Sequence, residues 1–162
     1  MKASCFREGG VDDMPAMFDC LKALALDEGH EATFGLTEAN LRDALSRQPN
    51  GIRVLICETD GRLAGLAMWS ERFSAYSAGA IMWLHDLYVV PMFRRMGIGH
   101  SLVNELRRIA KTRDCQRIEW YIHSDNDAAR LFYRTVGGFT HQSVIKTTFL
   151  LYKTATGAIA GG

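Results

Sequence analysis

The sequence predicts an α/β (α+β) fold, with one domain built on a mixed central sheet flanked by helices. Three observations carry this reading. Thr59-Asp60-Gly61-Arg62 sits between two apolar runs, and an Asp-Gly step in that setting is a strong hairpin signal. Ile81 to Val90 is a nearly continuous apolar and β-branched run that stops at Pro91, as a buried central strand would. Ile98, Leu102, Val103, Leu106, Ile109 and Ala110 recur at helical spacing. A chain of 162 residues suits one domain. Near that length roughly 70% of the unfolded surface can be buried, so the core needs neither disulfide nor structural metal.

The remaining elements follow in order. Residues 3–7 form a short, semi-apolar strand. Asp12 or Asp13 then caps a helix in which Met14, Met17, Phe18, Leu21, Leu24 and Ala25 keep helical spacing. Thr37, with Asn40 and Leu41, opens a second helix, closed by a Pro49-Asn50-Gly51 turn. Ile52 to Glu58 and Leu63 to Trp69 are the arms of the hairpin. His85 and Asp86 interrupt the central strand. The helix after Gly97 and Gly99 carries Arg107, Arg108 and Lys111 towards its C-terminal end, where the helix dipole favours cations. Ile118, Trp120 and Ile122 alternate as a strand, and Asp125 to Tyr133 reads as a helix ended by Gly137-Gly138. Phe139 to Tyr152 supplies one or two more strands. The order β-α-α-β-β-β-α-β-α-β-β has no repeat and no linker, which predicts a domain over 1–152 with residues 153–162 as a flexible tail.

Composition excludes several functions. A formal net charge of +1 provides no global field to recruit nucleic acid or an anionic membrane, so neither is an expected partner. Cys5, Cys20, Cys57 and Cys115 stand alone, and the five histidines make no H-x-x-x-H pair, so no metal is expected. The N-terminal MKASCFREGG lacks the apolar run of a secretory signal, and no window approaches the roughly 20 apolar residues of a membrane helix. A cytoplasmic protein is expected.

The informative segment runs from Val89 to Ser101, where a strand leads through a basic, glycine-bearing turn into a helix. Backbone N–H groups at a helix start lack intrahelical partners and carry the positive end of the dipole. Gly97 and Gly99 let a phosphate approach the main chain, and Arg94 and Arg95 supply charge. The same residues would also make an ordinary turn with solvated arginines. The Walker pattern is absent, and Leu102 stands where a dinucleotide fingerprint needs a third small residue.

This segment resembles the GNAT superfamily of acetyl-CoA-dependent N-acetyltransferases. Arg94-Arg95-Met96-Gly97-Ile98-Gly99 fits the family's [QR]-x-x-G-x-[GA] loop and directly follows a strand ending Leu87-Tyr88-Val89-Val90-Pro91. Glu119 to Phe139 is similar to the following family motif, with Asn126 opening a helix and Tyr133 in the Phe-Tyr pair. Leu24-Ala25, Glu28, Leu36-Thr37-Glu38 and the His85-Asp86-Leu87-Tyr88-Val89 strand extend the resemblance to the diamine (spermidine/spermine) and thialysine acetyltransferase branch, over roughly residues 3–152. It implies a splayed sheet that holds acetyl-CoA between the fourth and fifth strands. Backbone groups of Leu87 and Val89 would bind the pantetheine arm, Arg94, Arg95, Met96, Gly97, Ile98, Gly99 and His100 the pyrophosphate, and Asn126, Ala129 and Arg130 the cofactor's flank. Tyr133 would be the general acid. A homodimer is implied as well, and the apolar edge Phe149-Leu150-Leu151-Tyr152 is suited to pairing.

The chemistry asks for such groups. An alkylammonium with a pKa near 10.4 must lose a proton before it attacks, at a cost of roughly 4 kcal/mol at neutral pH. Attack builds an oxyanion, which the N–H of Val89 would stabilise. The leaving thiolate needs a proton, and the Tyr133 phenol can give one. The diamine branch carries glutamate where this chain has His85; a neutral imidazole can accept a proton but does not attract a polyammonium as a carboxylate does. Glu28 reads as an acidic rim for a cationic acceptor or as a solvated face. Tyr76, Trp83 and Asp86 are further candidates for acceptor binding. The expected acceptor is a small diamine, polyamine or lysine analogue. A protein N-terminus, an amino acid, an aminoglycoside, or a CoA-binding module without turnover are the alternatives.

Overall fold

The computed structural model describes residues 4–47 and 51–140. Its elements are β1 (Cys5–Glu8), α1 (Met14–Asp27), α2 (Glu38–Ser46), β2 (Arg53–Thr59), β3 (Arg62–Ser74), β4 (Gly79–Val89), α3 (Ile98–Thr112), β5 (Ile118–Glu119) and α4 (Asp127–Thr135). The strands form one sheet in the order β1-β2-β3-β4-β5. All neighbours are antiparallel except β4 and β5, which run parallel because α3 crosses over between them.

Local chemistry accounts for the element ends. Asp60 and Gly61 both take positive φ, 55° and 70°, as a two-residue hairpin turn between β2 and β3 requires. The Thr37 hydroxyl accepts the Asn40 N–H at 3.1 Å and caps α2. Asp13 occupies the expected position before α1, but its carboxylate serves the preceding turn instead: it accepts the Gly10 N–H at 2.9 Å and pairs with Arg7 at 2.6 Å.

Apolar residues alternate along β2, so the sheet is covered on both faces. Leu55 and Cys57 join Ala67, Trp69, Met82 and Leu84 beneath α3, against Ile98, Leu102 and Leu106. Val54 and Ile56 join Leu66 and Tyr88 beneath α1 and α2, against Met17, Leu21, Leu41 and Leu45. Two near-continuous apolar layers result, which is why β2 to β4 carry so few charges at their centres.

Two departures from the expected pattern shape the site. In β4, Leu84 opposes Trp69 and Asp86 opposes Met68, so His85 is an extra residue in the ladder, a β-bulge. This is why Leu84, Leu87 and Val89 all lie on the α3 side although simple alternation would separate them. The expected strand through Ile118, Trp120 and Ile122 shrinks to Ile118–Glu119, which pairs only with Met82 and Trp83. Beyond that point Trp120 packs on Tyr133, with ring centroids 4.6 Å apart, and Tyr121 packs edge-on against Trp83 at 4.7 Å. From Leu84 onward no strand among the described residues runs along the outer edge of β4. The sheet is splayed there, as expected.

The expected turn at 49–51 falls largely outside the described residues, as do the strands after residue 140, the dimer edge at 149–152 and the boundary at 152. Among the described residues no helix is long and apolar enough to cross a membrane.

Gly65 in β3 has no room for a side chain: a Cβ there would stand 2.7 Å from the Tyr88 carbonyl oxygen and 3.2 Å from Leu102. Gly65→Ala is expected to push the two strands apart and lower stability by roughly 1–3 kcal/mol. Chemical denaturation, read as a lower midpoint at unchanged slope, checks this.

Candidate functional site

Where β4 parts from β5, a cavity of about 320 Å³ opens between the end of α1 (Leu24, Asp27, Glu28), the end of β4 (Leu87, Tyr88, Val89), Arg94 and one face of α4 (Asn126, Ala129, Phe132, Tyr133). Leu24, Asp27 and Glu28 stand at i, i+3 and i+4, so they share one face of their helix. In an antiparallel ladder the backbone groups of successive residues point alternately to either side. The Val90 N–H donates to the Ala64 carbonyl at 3.0 Å, towards β3. The polar groups of Leu87 and Val89 therefore face away from β3, into the gap.

The loop at 94–100 is divided between two tasks. Arg94 donates from Nε to the Val89 carbonyl at 2.9 Å and from its guanidinium to Asp27 Oδ2 at 2.5 Å, and its charge lies 5.4 Å from the Tyr88 ring centroid. It is a strut joining β4, the loop and α1. Arg95 is exposed, with a left-handed φ of 63°, and has no acidic partner among the described residues. Met96 is exposed too. Gly97, at φ 82°, precedes α3 without a side chain to cap it, so the N–H groups of Ile98, Gly99 and His100 have no intrahelical acceptor. Gly99 is required for packing: a Cβ there would meet the Phe132 ring at 3.1 Å. His100 stands edge-on to Phe132, with Nε2 3.2 Å from the Thr135 hydroxyl, so its side chain braces α4.

Asn126 joins α4 to α1. Its amide oxygen accepts the Ala129 N–H at 2.9 Å, capping the helix, while Nδ2 donates to Glu28 Oε1 at 3.4 Å. The Ala129 N–H is thereby taken, and Arg130 turns aside to pair with Asp127.

Three ionisable groups interact at the inner end. Burial, and secondarily the charge of Glu28, push the Asp86 carboxyl up to about 6. Burial, then the negative charges of Asp86 and Glu28, push the Tyr133 phenol above its ordinary value. The phenol is thus fully protonated at neutral pH, as a proton donor must be.

The other candidates lie apart from the cavity. His85 is bonded through Nε2 to the Ser70 hydroxyl at 2.8 Å, and burial followed by the charge of Arg72 lowers its pKa. Trp83 is held between the Arg72 guanidinium, 3.7 Å from its ring centroid, and Tyr121. Tyr76 is fully exposed in the β3–β4 turn, at the opposite end of β4. The structure does not bring it to the cavity.

Sequence reasoning missed Asp27, which the helical spacing from Leu24 would have placed beside Glu28. It also missed a cluster of metal-ligating type: ligand atoms of Glu28, His30 and His123 lie within 4.8 Å of one another. His30 and His123 are too far apart in sequence for any local spacing to reveal this.

Comparison with known proteins agrees with this architecture. The acetyltransferase (GNAT) family model matches residues 16–139, and the chain belongs to that family. It is 38% identical over 73 residues to a thialysine N-epsilon-acetyltransferase of Caenorhabditis elegans, covering 45% of each chain. It is 28% identical over 139 residues to spermidine/spermine N(1)-acetyltransferase-like protein 1 of Homo sapiens, covering 81% of this chain and 20% of that one. The matches thus span less than half the length of these relatives. A solved structure of the aminoglycoside N-acetyltransferase AAC(6')-Iy in complex with CoA superposes with a TM-score of 0.72 at 17% identity, over 92% of this chain and 96% of that one.

Because the folded Asp86 carboxyl holds its proton to about pH 6 and the unfolded one only to about 4, Asp86 contributes stability at acid pH that is lost as pH rises through that window. Carboxyl NMR is expected to give a midpoint near 6 for Asp86. Glu28→Gln should lower that midpoint, and an unmoved midpoint would show that the two carboxylates do not interact.

Proposed function

We propose that this chain is an acetyl-CoA-dependent N-acetyltransferase that passes an acetyl group directly to a primary amine of a small cationic acceptor: a diamine, a polyamine or a lysine analogue. The observation that carries the proposal is the cavity between β4 and α4, whose walls bring Tyr133 and Glu28 together with the exposed backbone of Leu87 and Val89, with burial keeping the phenol protonated. The family, the two relatives named for thialysine and spermidine/spermine transfer, and the neighbour solved with CoA all support it.

Each part of the site has a task in that reaction. The N–H groups of Ile98, Gly99 and His100, with Arg95, meet the cofactor's pyrophosphate, and the outward backbone groups of Leu87, with the Val89 carbonyl that Arg94 also contacts, bind its amide-bearing arm. Arg94 keeps the loop in place rather than serving as the phosphate's main counter-charge. Glu28 and Asp86 attract the ammonium and take its proton; at about 6, Asp86 is a stronger base than an ordinary carboxylate, which eases that transfer. The amine nitrogen then adds to the acyl carbon and builds an oxyanion that the Val89 N–H faces. As this collapses the carbon–sulfur bond breaks, Tyr133 gives its proton to the departing sulfur, and the second proton that the nitrogen sheds on becoming an amide returns to the phenolate. His85, bonded to Ser70 and set apart from the cavity, does not act as the main base.

The test is the initial rate of CoA thiol release from acetyl-CoA with spermidine, putrescine, thialysine, lysine, an aminoglycoside and an N-terminal peptide. Amine-dependent release is expected, fastest with the small diamines and lysine analogues. Its absence, with acetyl-CoA still bound, would mean a binding module without turnover. Tyr133→Phe is expected to cut kcat by roughly 10²-fold or more while leaving acetyl-CoA affinity intact. Arg95→Ala should weaken acetyl-CoA binding by roughly tenfold, increasingly so at low salt. Calorimetry that found no loss would remove Arg95 from the phosphate site.

A further inference from the structure

We propose that Glu28, His30 and His123 form a binding site for a single transition-metal ion of the zinc type, which ties the end of α1 to the segment leading into α4. Oxygen and nitrogen atoms of the three side chains lie within 4.8 Å of one another. Three points no farther apart than that have a common centre within about 2.8 Å of each. Movements of under an ångström would therefore bring all three to the roughly 2.0–2.2 Å of a zinc–imidazole or zinc–carboxylate bond.

The surroundings favour a cation. Both rings border a second cavity, of about 210 Å³, whose other walls are Asp27, Asp125 and Asn126. Glu28 directly follows α1 as its cap, and the His30 N–H returns to the Ala25 carbonyl at 2.7 Å, so the site lies at the negative end of that helix. Glu28 is oriented by Asn126, as a metal-bound carboxylate usually is by an outer partner. The two imidazoles lie 4.5 Å apart, centroid to centroid, and among the described residues neither ring is hydrogen-bonded. Two imidazoles and one carboxylate leave a fourth position for water, a donor set that suits Zn²⁺ and neighbouring ions better than Mg²⁺ or Ca²⁺.

Glu28 borders both cavities. A metal held there engages the carboxylate that, on the reading given under Proposed function, meets the amine. Zn²⁺ then acts as an inhibitor competing with the acceptor and leaves acetyl-CoA binding unaffected.

Titration calorimetry of tag-free protein with Zn²⁺ is expected to give one site per chain, and Co²⁺ should produce the visible absorption of a low-coordinate nitrogen–oxygen site. His30→Ala and His123→Ala are each expected to weaken binding by at least tenfold and to abolish the Co²⁺ band. Both should leave the metal-free amine-dependent rate unchanged and relieve Zn²⁺ inhibition. Absence of Zn²⁺ binding, or binding and a Co²⁺ band that persist in the His30→Ala/His123→Ala double variant, would overturn the site. One-to-one binding lost in these variants, in a protein with no amine-dependent rate, would uphold the site and overturn the functional reading alone.

Discussion

β4 and β5 lie side by side at Met82 with Ile118 and Trp83 with Glu119, and beyond that point no strand among the described residues covers the backbone of β4 on that side. Buried backbone groups without partners are costly, so a fold that leaves a strand edge uncovered in its interior must either solvate it or offer it to a ligand. Here the gap is bounded by α4 and the end of α1, and it is narrow enough to be a groove. Each part of the candidate site follows from it. The loop after β4 comes to the mouth of the groove, α3 starts there with its N–H groups free, and Tyr133 reaches the groove from α4.

Charge distribution follows the same geometry. Asp27 and Glu28 line the groove and Asp86 lies near it, yet among the described residues only Asp27 of the three has a full counter-charge, in Arg94. Glu28 has an amide from Asn126, and Asp86 responds to its burial by holding its proton more tightly. A groove with cationic and N–H groups at one end and underneutralised carboxylates at the other presents opposite potentials to two substrates. On the function proposed above, such a division lets a polyanionic cofactor and a cationic acceptor sit together without either neutralising the other's site.

Much of this was legible from the sequence because it is encoded locally. Asp60-Gly61 dictates its hairpin, Thr37 its cap, and the apolar stripe from Ile98 to Ala110 its helix; Asn126 and Tyr133 stand out because Glu119 to Phe139 resembles a motif of the family. The Arg94–Asp27 strut was not legible, because its partners stand 67 positions apart and either would be content in water. The loop's two arginines look equivalent in sequence and acquire different tasks only when α1 docks. Alternation suggested a longer β5, but Trp120 and Tyr121 are drawn to Tyr133 and Trp83, and packing of large rings outweighs the few ladder bonds forgone. His30 and His123 meet only because the chain ends of two distant elements converge.

The bulge at His85 has a consequence for the curvature of the sheet. Over the stretch where β3 has Met68 and Trp69, β4 has Leu84, His85 and Asp86, so two strands bonded along their length are locally unequal in contour. Two joined strips of unequal length bend, with the longer on the outside of the arc. Here the longer strip is β4, and its outer side is the side on which β5 lies. A straight β5 can touch such an arc only near one point, and the point of contact at Met82 and Trp83 comes just before the extra residue. The place where β4 and β5 part is thus tied to a difference of one in residue count between neighbouring strands, which a single deletion would remove.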